Sequence, residues 1–267
     1  GGSLIQACVQ AHPEQKISIW ARRPEVRQYC LQNLGCDEIH EDIVESVKDA
    51  DLVVLCAPVD VIPSLVKALM PGLKDNAVVT DLGSTKEQLQ KKCLEILPEW
   101  VDFVGSHPMA GSEKSGIEHA DGSLFANHIC FVTPDCARNA NAVADVKDFW
   151  ASLSMSVYEM DAHTHDQIVA HISHLPHLLA ASLCHTLGKQ PDSWFSAAGN
   201  GLRDTSRIAA GNPQLWVSIC RDNRQAIIES LQSYQESLSL FRKALEEQDD
   251  ESLNSLLEQA QETRKKF

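Results

Sequence analysis

The chain has 267 residues, 43% of them apolar and 22% charged, a globular balance that is too long for one small core and suits two domains. A net charge of −14 leaves no surplus of Lys and Arg for nucleic-acid phosphates, and no run approaches the roughly 18 uninterrupted apolar residues of a membrane span. Nine cysteines, from Cys8 to Cys220, stand singly with no CxxC pair, which reads as reduced thiols in a cytoplasmic protein with no metal site.

Gly1-Gly2-Ser3-Leu4 leads into a helical stretch at 5–11, and the run at 16–20 (KISIW) then reads as a strand. In a dinucleotide-binding fold a glycine-rich turn joins the first strand to the first helix. Gly1, Gly2 and Ser3 therefore read as the end of that turn, with the first strand and first two glycines expected upstream; a flexible tag remnant is the competing reading. About 20 positions after such a turn, the end of the second strand meets the adenosine ribose. Counting from Gly1 reaches Ala21-Arg22-Arg23, directly after KISIW. An NAD-preferring site places Asp or Glu there, whereas Ala21 removes the repelling carboxylate and Arg22 and Arg23 suit a 2′-phosphate. The expected cofactor is NADP, with NAD as the alternative.

Further strands are expected at 52–57 (LVVLCA), 77–81 (AVVTD), 103–104 and 129–133 (ICFVT), with helices at 24–34, 61–69, 86–96 and 140–153. This alternation implies an α/β domain: a parallel sheet of the Rossmann type, its first strand missing, with helices on both faces. LVVLCA is almost wholly apolar, as a strand buried on both sides should be, and Ala57 and Pro58 at its end are assigned to the cofactor. After about residue 161 the strand signal stops. Helical patterns at 162–187, 216–245 and 250–265 define a second, all-helical domain, giving 1–158 and 159–267 as the two domains. The helical stripes offer more apolar surface than about 105 residues bury alone, so a homodimer through this domain is expected.

Three constellations carry chemistry. Asp81-Leu82-Gly83-Ser84-Thr85-Lys86 follows AVVTD at its carboxyl end, where ligands bind in open α/β sheets. There Gly83 permits a tight turn, and Ser84 either caps a helix or meets a ligand. In Gly105-Ser106-His107-Pro108, a histidine lies in a small-residue loop fixed by proline, a candidate proton acceptor near neutral pH. In the third, at 171–177 (HISHLPH), about 100° per residue puts Asp166, Ala170, Ser173 and His177 within roughly 60° of one another. His171 and His174 rotate away from that face, so a three-histidine metal site is excluded and Ser173 and His177 are read as facing a cleft. Downstream, Arg207 suits a substrate carboxylate or pairs with one of the many acidic residues.

Together GGSL at 1–4, DLGSTK at 81–86, HPMAGSEKSG at 107–116, SHLPH at 173–177 and RDTSRIAAGNPQLW at 203–216 resemble the prephenate and arogenate dehydrogenase family, in family order and over nearly the whole chain. The resemblance implies oxidative decarboxylation of prephenate to 4-hydroxyphenylpyruvate, or of arogenate to tyrosine, in a cleft between the two domains. It assigns His107 as the base for the substrate's C4 hydroxyl and Ser84 as its hydrogen-bonding neighbour. Arg207, His177 and Ser173 match substrate-binding positions. Glu113, Asp166 and Trp216 match residues that link the domains around the cleft. Two other readings stay open: a β-hydroxyacid dehydrogenase, for which Gly188-Lys189 is the nearest candidate motif, and a non-catalytic nucleotide sensor on the same fold.

Overall fold

The β-branched runs of the first half form short strands. The computed structural model describes residues 1–36, 38–111 and 116–267. Strands β1 (Ser18–Trp20) and β2 (Glu38–His40) pair in parallel as a two-stranded sheet. A five-stranded sheet has the order β3 (Leu52–Leu55), β4 (Val78–Asp81), β5 (Asp102–Pro108), β6 (Ile129–Thr133) and β7 (Ser156–Glu159). β4 lies between parallel neighbours and all four of its residues are buried, as its Val-Val-Thr sequence demands.

Helices cover both faces. α3 (Ile62–Leu69) and α4 (Glu87–Leu94) bury Ile62, Val66, Leu69 and Leu89 against Leu55, Val79 and Phe103. On the other face α1 (Gly2–Ala11) and α5 (Ala140–Ser152) pack Leu4, Val146 and Trp150 onto Val78, Val104 and Val132. α2 (Pro24–Asn33) brings Cys30 to the small core under β1.

The sheet is not wholly parallel, which corrects the expectation. β6 runs antiparallel to β5, and β7 then runs parallel to β6. A parallel return needs a crossover helix. α5 supplies one between β6 and β7, whereas between β5 and β6 the described residues contain only the 3₁₀ turn Ile117–His119.

The second half is helical: α6 (Ala162–Val169), α7 (Leu175–Leu187), α8 (Asn200–Ser206), α9 (Pro213–Asp222), α10 (Arg224–Glu246) and α11 (Asp250–Arg264). Its buried centre is small, around Ala170, Ala226 and Ile227, while Val217, Ile228, Leu238, Leu240, Leu245 and Leu257 are exposed. Two expected continuous helices are interrupted. Asn223 separates α9 from α10, and a π-helical turn, Ala170–His174, separates α6 from α7. Among the described residues no helix is long and apolar enough to cross a membrane, and no cluster of His, Cys, Asp or Glu is arranged to hold a metal.

Candidate active site

The carboxyl ends of β4 and β5 carry a buried polar platform. Lys86 and Asp81, both fully buried, form an ion pair, and the Lys86 ammonium also donates to the Ser106 carbonyl at 2.8 Å. Asp81 accepts the backbone N–H of Gly83 at 2.7 Å and of Ser106 at 3.2 Å. Burial pushes the Asp81 carboxyl up, against the pull of Lys86 and of these two N–H groups. Gly83 is required by space and not by an unusual dihedral angle. A Cβ there would stand 2.6 Å from Val59 Cγ1 and 2.7 Å from Asp81 Oδ2.

His107 is not in a loop. β5 extends through Pro108, so the imidazole sits on a strand paired to β6, opposite Phe131, and is buried. Its Nδ1 lies 2.9 Å from Nε2 of His165 on α6. His165 Nδ1 lies 2.8 Å from Asp166 Oδ1, giving an unbroken chain His107–His165–Asp166. Asp166 closes the chain on the first half of the protein. It accepts the backbone N–H of Lys86 at 2.9 Å and of Glu87 at 3.0 Å, capping α4 from another domain. Nearby, Asp222 accepts from Thr85 (2.6 Å), just before α4, and from Lys92 (3.1 Å) in its last turn, so α6 and α9 together grip α4. Burial, then the neighbouring His165, Lys86 and His174, hold His107 well below the ordinary histidine range.

A second cluster stands on the π turn and α7. In a regular helix His174 would point away from the Asp166 face, but the extra residue of a π turn rotates the residues after it by roughly 100°. His174 is therefore buried, and Asn223 Nδ2 approaches its Nδ1 at 3.3 Å while donating to the Asp166 carbonyl at 2.7 Å. Burial lowers His174 to about 4. His177 is also buried and stacks on Trp216, with ring centroids 3.5 Å apart and planes 10° apart. Gly211 lets the chain pass this stack, since a Cβ there would lie 2.7 Å from Trp216 Nε1 and 3.0 Å from His177 Cε1.

The other expected positions vary in how far they join this network. Ser84 and Ser173 are half-buried and have no side-chain hydrogen bond among the described residues. Arg207 is exposed and opens the 3₁₀ turn Arg207–Ala210, which packs on α7 near His177. Glu113 lies outside the described residues. At the chain start, Gly1 precedes α1 without a side-chain cap, and a Gly1 Cβ would stand 3.4 Å from Cys56, which lies between β3 and the Ala57-Pro58 pair. An uncapped helix N-terminus beside a strand's carboxyl end suits a pyrophosphate. Beyond β1, Arg27 holds the loop by donating to the Ala21 carbonyl at 2.8 Å, while Arg22 and Arg23 are exposed and the Arg23 guanidinium stands 3.8 Å from Glu25.

His165 and Asn223 were not singled out from the sequence, His174 was expected to face away from the site, and Asp81 and Lys86 were read as part of a ligand-binding turn and not as a buried ion pair. The available signal was the adjacency of His165 to Asp166, without the distances that make it a relay.

Comparison with known proteins bears on this arrangement. The family model described as prephenate dehydrogenase, nucleotide-binding domain, matches residues 7–159, and prephenate dehydrogenase, dimerization domain, matches 161–259. Cyclohexadienyl dehydrogenase of Zymomonas mobilis is 32% identical over 99% of this chain and 91% of its own length. The structure of prephenate dehydrogenase from A. aeolicus in complex with hydroxyphenyl propionate and NAD+ superposes with a TM-score of 0.91 at 28% identity, covering 99% of this chain and 93% of that one. Synechocystis arogenate dehydrogenase superposes with a TM-score of 0.85 at 28% identity, covering 100% and 95%.

Proposed function

This chain belongs to the prephenate/arogenate dehydrogenase family, and we propose that within it His107 is the general base acting on the hydroxyl of the substrate ring. The protein is an oxidoreductase of tyrosine biosynthesis with prephenate/arogenate dehydrogenase activity on a small-molecule substrate, built from a nucleotide-binding and a dimerisation domain.

The observation that carries the assignment is a buried imidazole at the carboxyl end of β5, kept unprotonated at neutral pH and held by a second histidine. A base needs a free lone pair at working pH, and this environment supplies one. The substrate ring bears a carboxylate at C1 and a hydroxyl at C4. His107 takes the hydroxyl proton as C4 is oxidised, with Ser84 bonded alongside. The C1 carboxylate leaves as carbon dioxide, its bonding pair completes the aromatic ring by way of the new C4 carbonyl, and that oxygen takes a proton back to become the phenol hydroxyl. Aromaticity drives the step, so the residues mainly orient, deprotonate and hold charge. Arg207 engages a substrate carboxylate, with Ser173 and His177 alongside and Trp216 stacked on the His177 ring; Glu113, assigned to the substrate by the family resemblance, lies outside the described residues.

A nicotinamide cofactor, when bound, supplies the two-electron acceptor for C4. Gly1, Gly2 and Ser3 at the open start of α1 suit its pyrophosphate, with the accessible Ala57 and Pro58 beside it; Asp81 and Gly83 are buried beneath this face and hold it in shape through the Lys86 ion pair rather than by touching the cofactor. Preference for NADP rests on Ala21 and on the exposed Arg22 and Arg23; the A. aeolicus structure holds NAD+. The exposed leucines of α10 and α11 support a homodimer.

Steady-state assays with prephenate and arogenate, each with NAD and NADP, test this reading. Turnover of at least one substrate is expected, with the higher specificity constant for NADP. No turnover of either substrate overturns the assignment.

A further inference from the structure

We propose that His165 and Asp166 are positioning residues that fix the tautomer of His107, so that the base presents an unprotonated Nε2 to the substrate. This rests on the reading of His107 as the base and adds to it which nitrogen acts and what sets it.

The protons can be placed one after another, outward from Asp166. Its two carboxylate oxygens already accept backbone N–H groups, Lys86 on Oδ1 and Glu87 on Oδ2, so toward His165 the group is an acceptor. The 2.8 Å contact therefore requires the proton of His165 to be on Nδ1. A neutral imidazole carries one N–H, so His165 Nε2 presents a lone pair. Burial keeps His165 neutral by holding it below the ordinary histidine range, with Asp166 opposing. The 2.9 Å contact to His107 then has one consistent assignment: His107 Nδ1 donates and His107 Nε2 is left bare. Without the relay an imidazole divides its proton between both nitrogens, and one of the two forms is useless as a base at Nε2.

The rings are also held mechanically. His165 is fully buried, with the His107 ring at 5.1 Å and the Phe131 ring at 5.5 Å, both edge to face. Asn223 pins the backbone of Asp166 from the α9–α10 junction. The base stands on the nucleotide-binding domain, but its proton is placed by the helical domain, so docking of the two domains assembles the base. Among the described residues, the charged and titratable groups around His107 are His165 from α6, Lys86 from the β4–α4 segment, His174 from the π turn and Cys130 from β6, with Asp166 behind His165 and Asp81 behind Lys86.

The test combines kinetics with ¹⁵N NMR of histidine-labelled enzyme, the His107 signals being assigned by their loss in His107→Asn. The wild type is expected to show His107 protonated at Nδ1 and bare at Nε2. His165→Ala is expected to show a tautomer mixture, with kcat down about 100-fold, inside the roughly 10²–10⁴ that a general base contributes, and KM changed far less. His165→Gln should recover much of the loss, because its amide offers an acceptor and a donor on one carbon. If His107→Asn loses activity while His165→Ala keeps both wild-type kcat and the wild-type tautomer, the positioning role is refuted and the base assignment stands. A wild-type protein protonated at His107 Nε2 also refutes it. If His107→Asn itself turns over normally, the underlying reading fails instead.

Discussion

Replacing Lys86 with Met exposes the cost of the buried ion pair on which the site is built. Both partners are fully shielded from solvent, and Lys86 also serves the Ser106 carbonyl. Methionine keeps the volume of the side-chain stem and removes the charge. Asp81 would retain the N–H groups of Gly83 and Ser106, but its charge would be unpaired in the interior. Breaking one side of a buried pair costs about 3–5 kcal/mol. The loss should depend on pH with a definite sign. Burial already raises Asp81 above its unfolded value, and removing Lys86 removes the opposing pull, so its folded pKa rises further. A raised carboxyl favours the folded state below its unfolded pKa and loses that contribution as pH rises through the folded pKa. The deficit of Lys86→Met should thus be full at pH 8 and shrink as the pH falls toward the unfolded Asp value of about 4. Urea unfolding of the wild type, Lys86→Met and the double variant Asp81→Asn/Lys86→Met measures this, with the double variant expected to recover a large part of the loss. A deficit below about 1 kcal/mol at pH 8, or one that is independent of pH, rules out an unpaired buried charge as its source.

Three further outcomes are expected at the site. Arg207→Ala should raise KM by a factor corresponding to roughly 2–4 kcal/mol for a lost charge-assisted pair; an unchanged KM in steady-state assays demotes Arg207 to a surface charge. Arg22→Ala/Arg23→Ala should shift the ratio of specificity constants from NADP toward NAD, and an NAD preference in the wild type that the double change leaves unaltered rejects the phosphate role. The acid limb of kcat/KM should lie below the ordinary histidine value of about 6.5, because His107 is held well below it. His107, His165 and His174 are all depressed, so their contribution to stability is present above about pH 6.5 and is lost as pH falls through their folded values, reaching about 4 for His174. An acid limb at or above 6.5 contradicts the burial argument.

The parts of the fold that could be read from sequence were those in which local chemistry and final environment agree. LVVL and ICFV are wholly apolar runs rich in Val and Ile, so β3 and β6 were evident even though Leu52 and Val54 are half-buried and Ile129 is exposed, whereas β2 (EIH) and β7 (SVYE) are short, half-polar strands with no such signal. The reversal at β6 depends on how the chain returns after His107, which hydrophobic periodicity does not encode. The π turn escaped for a similar reason: regular helical phasing put His174 outside, and one additional residue in a turn carries it to the interior. His107 and the His177–Trp216 pair belong to recognisable motifs. The His165 contact joins residues 58 positions apart on different domains, and only the packed structure brings them within 2.9 Å.

The mechanism stands or falls with His107 as the proton acceptor, and the His107→Asn variant isolates that role. Asparagine has similar size and polarity but cannot take a proton near neutral pH. The measurement is single-turnover reduction of the nicotinamide cofactor at saturating substrate, alongside the dissociation constant of the substrate-like product. Turnover is expected to fall by roughly two to four orders of magnitude while product binding changes little. A His107→Asn enzyme that turns over at the wild-type rate removes His107 from the proton transfer.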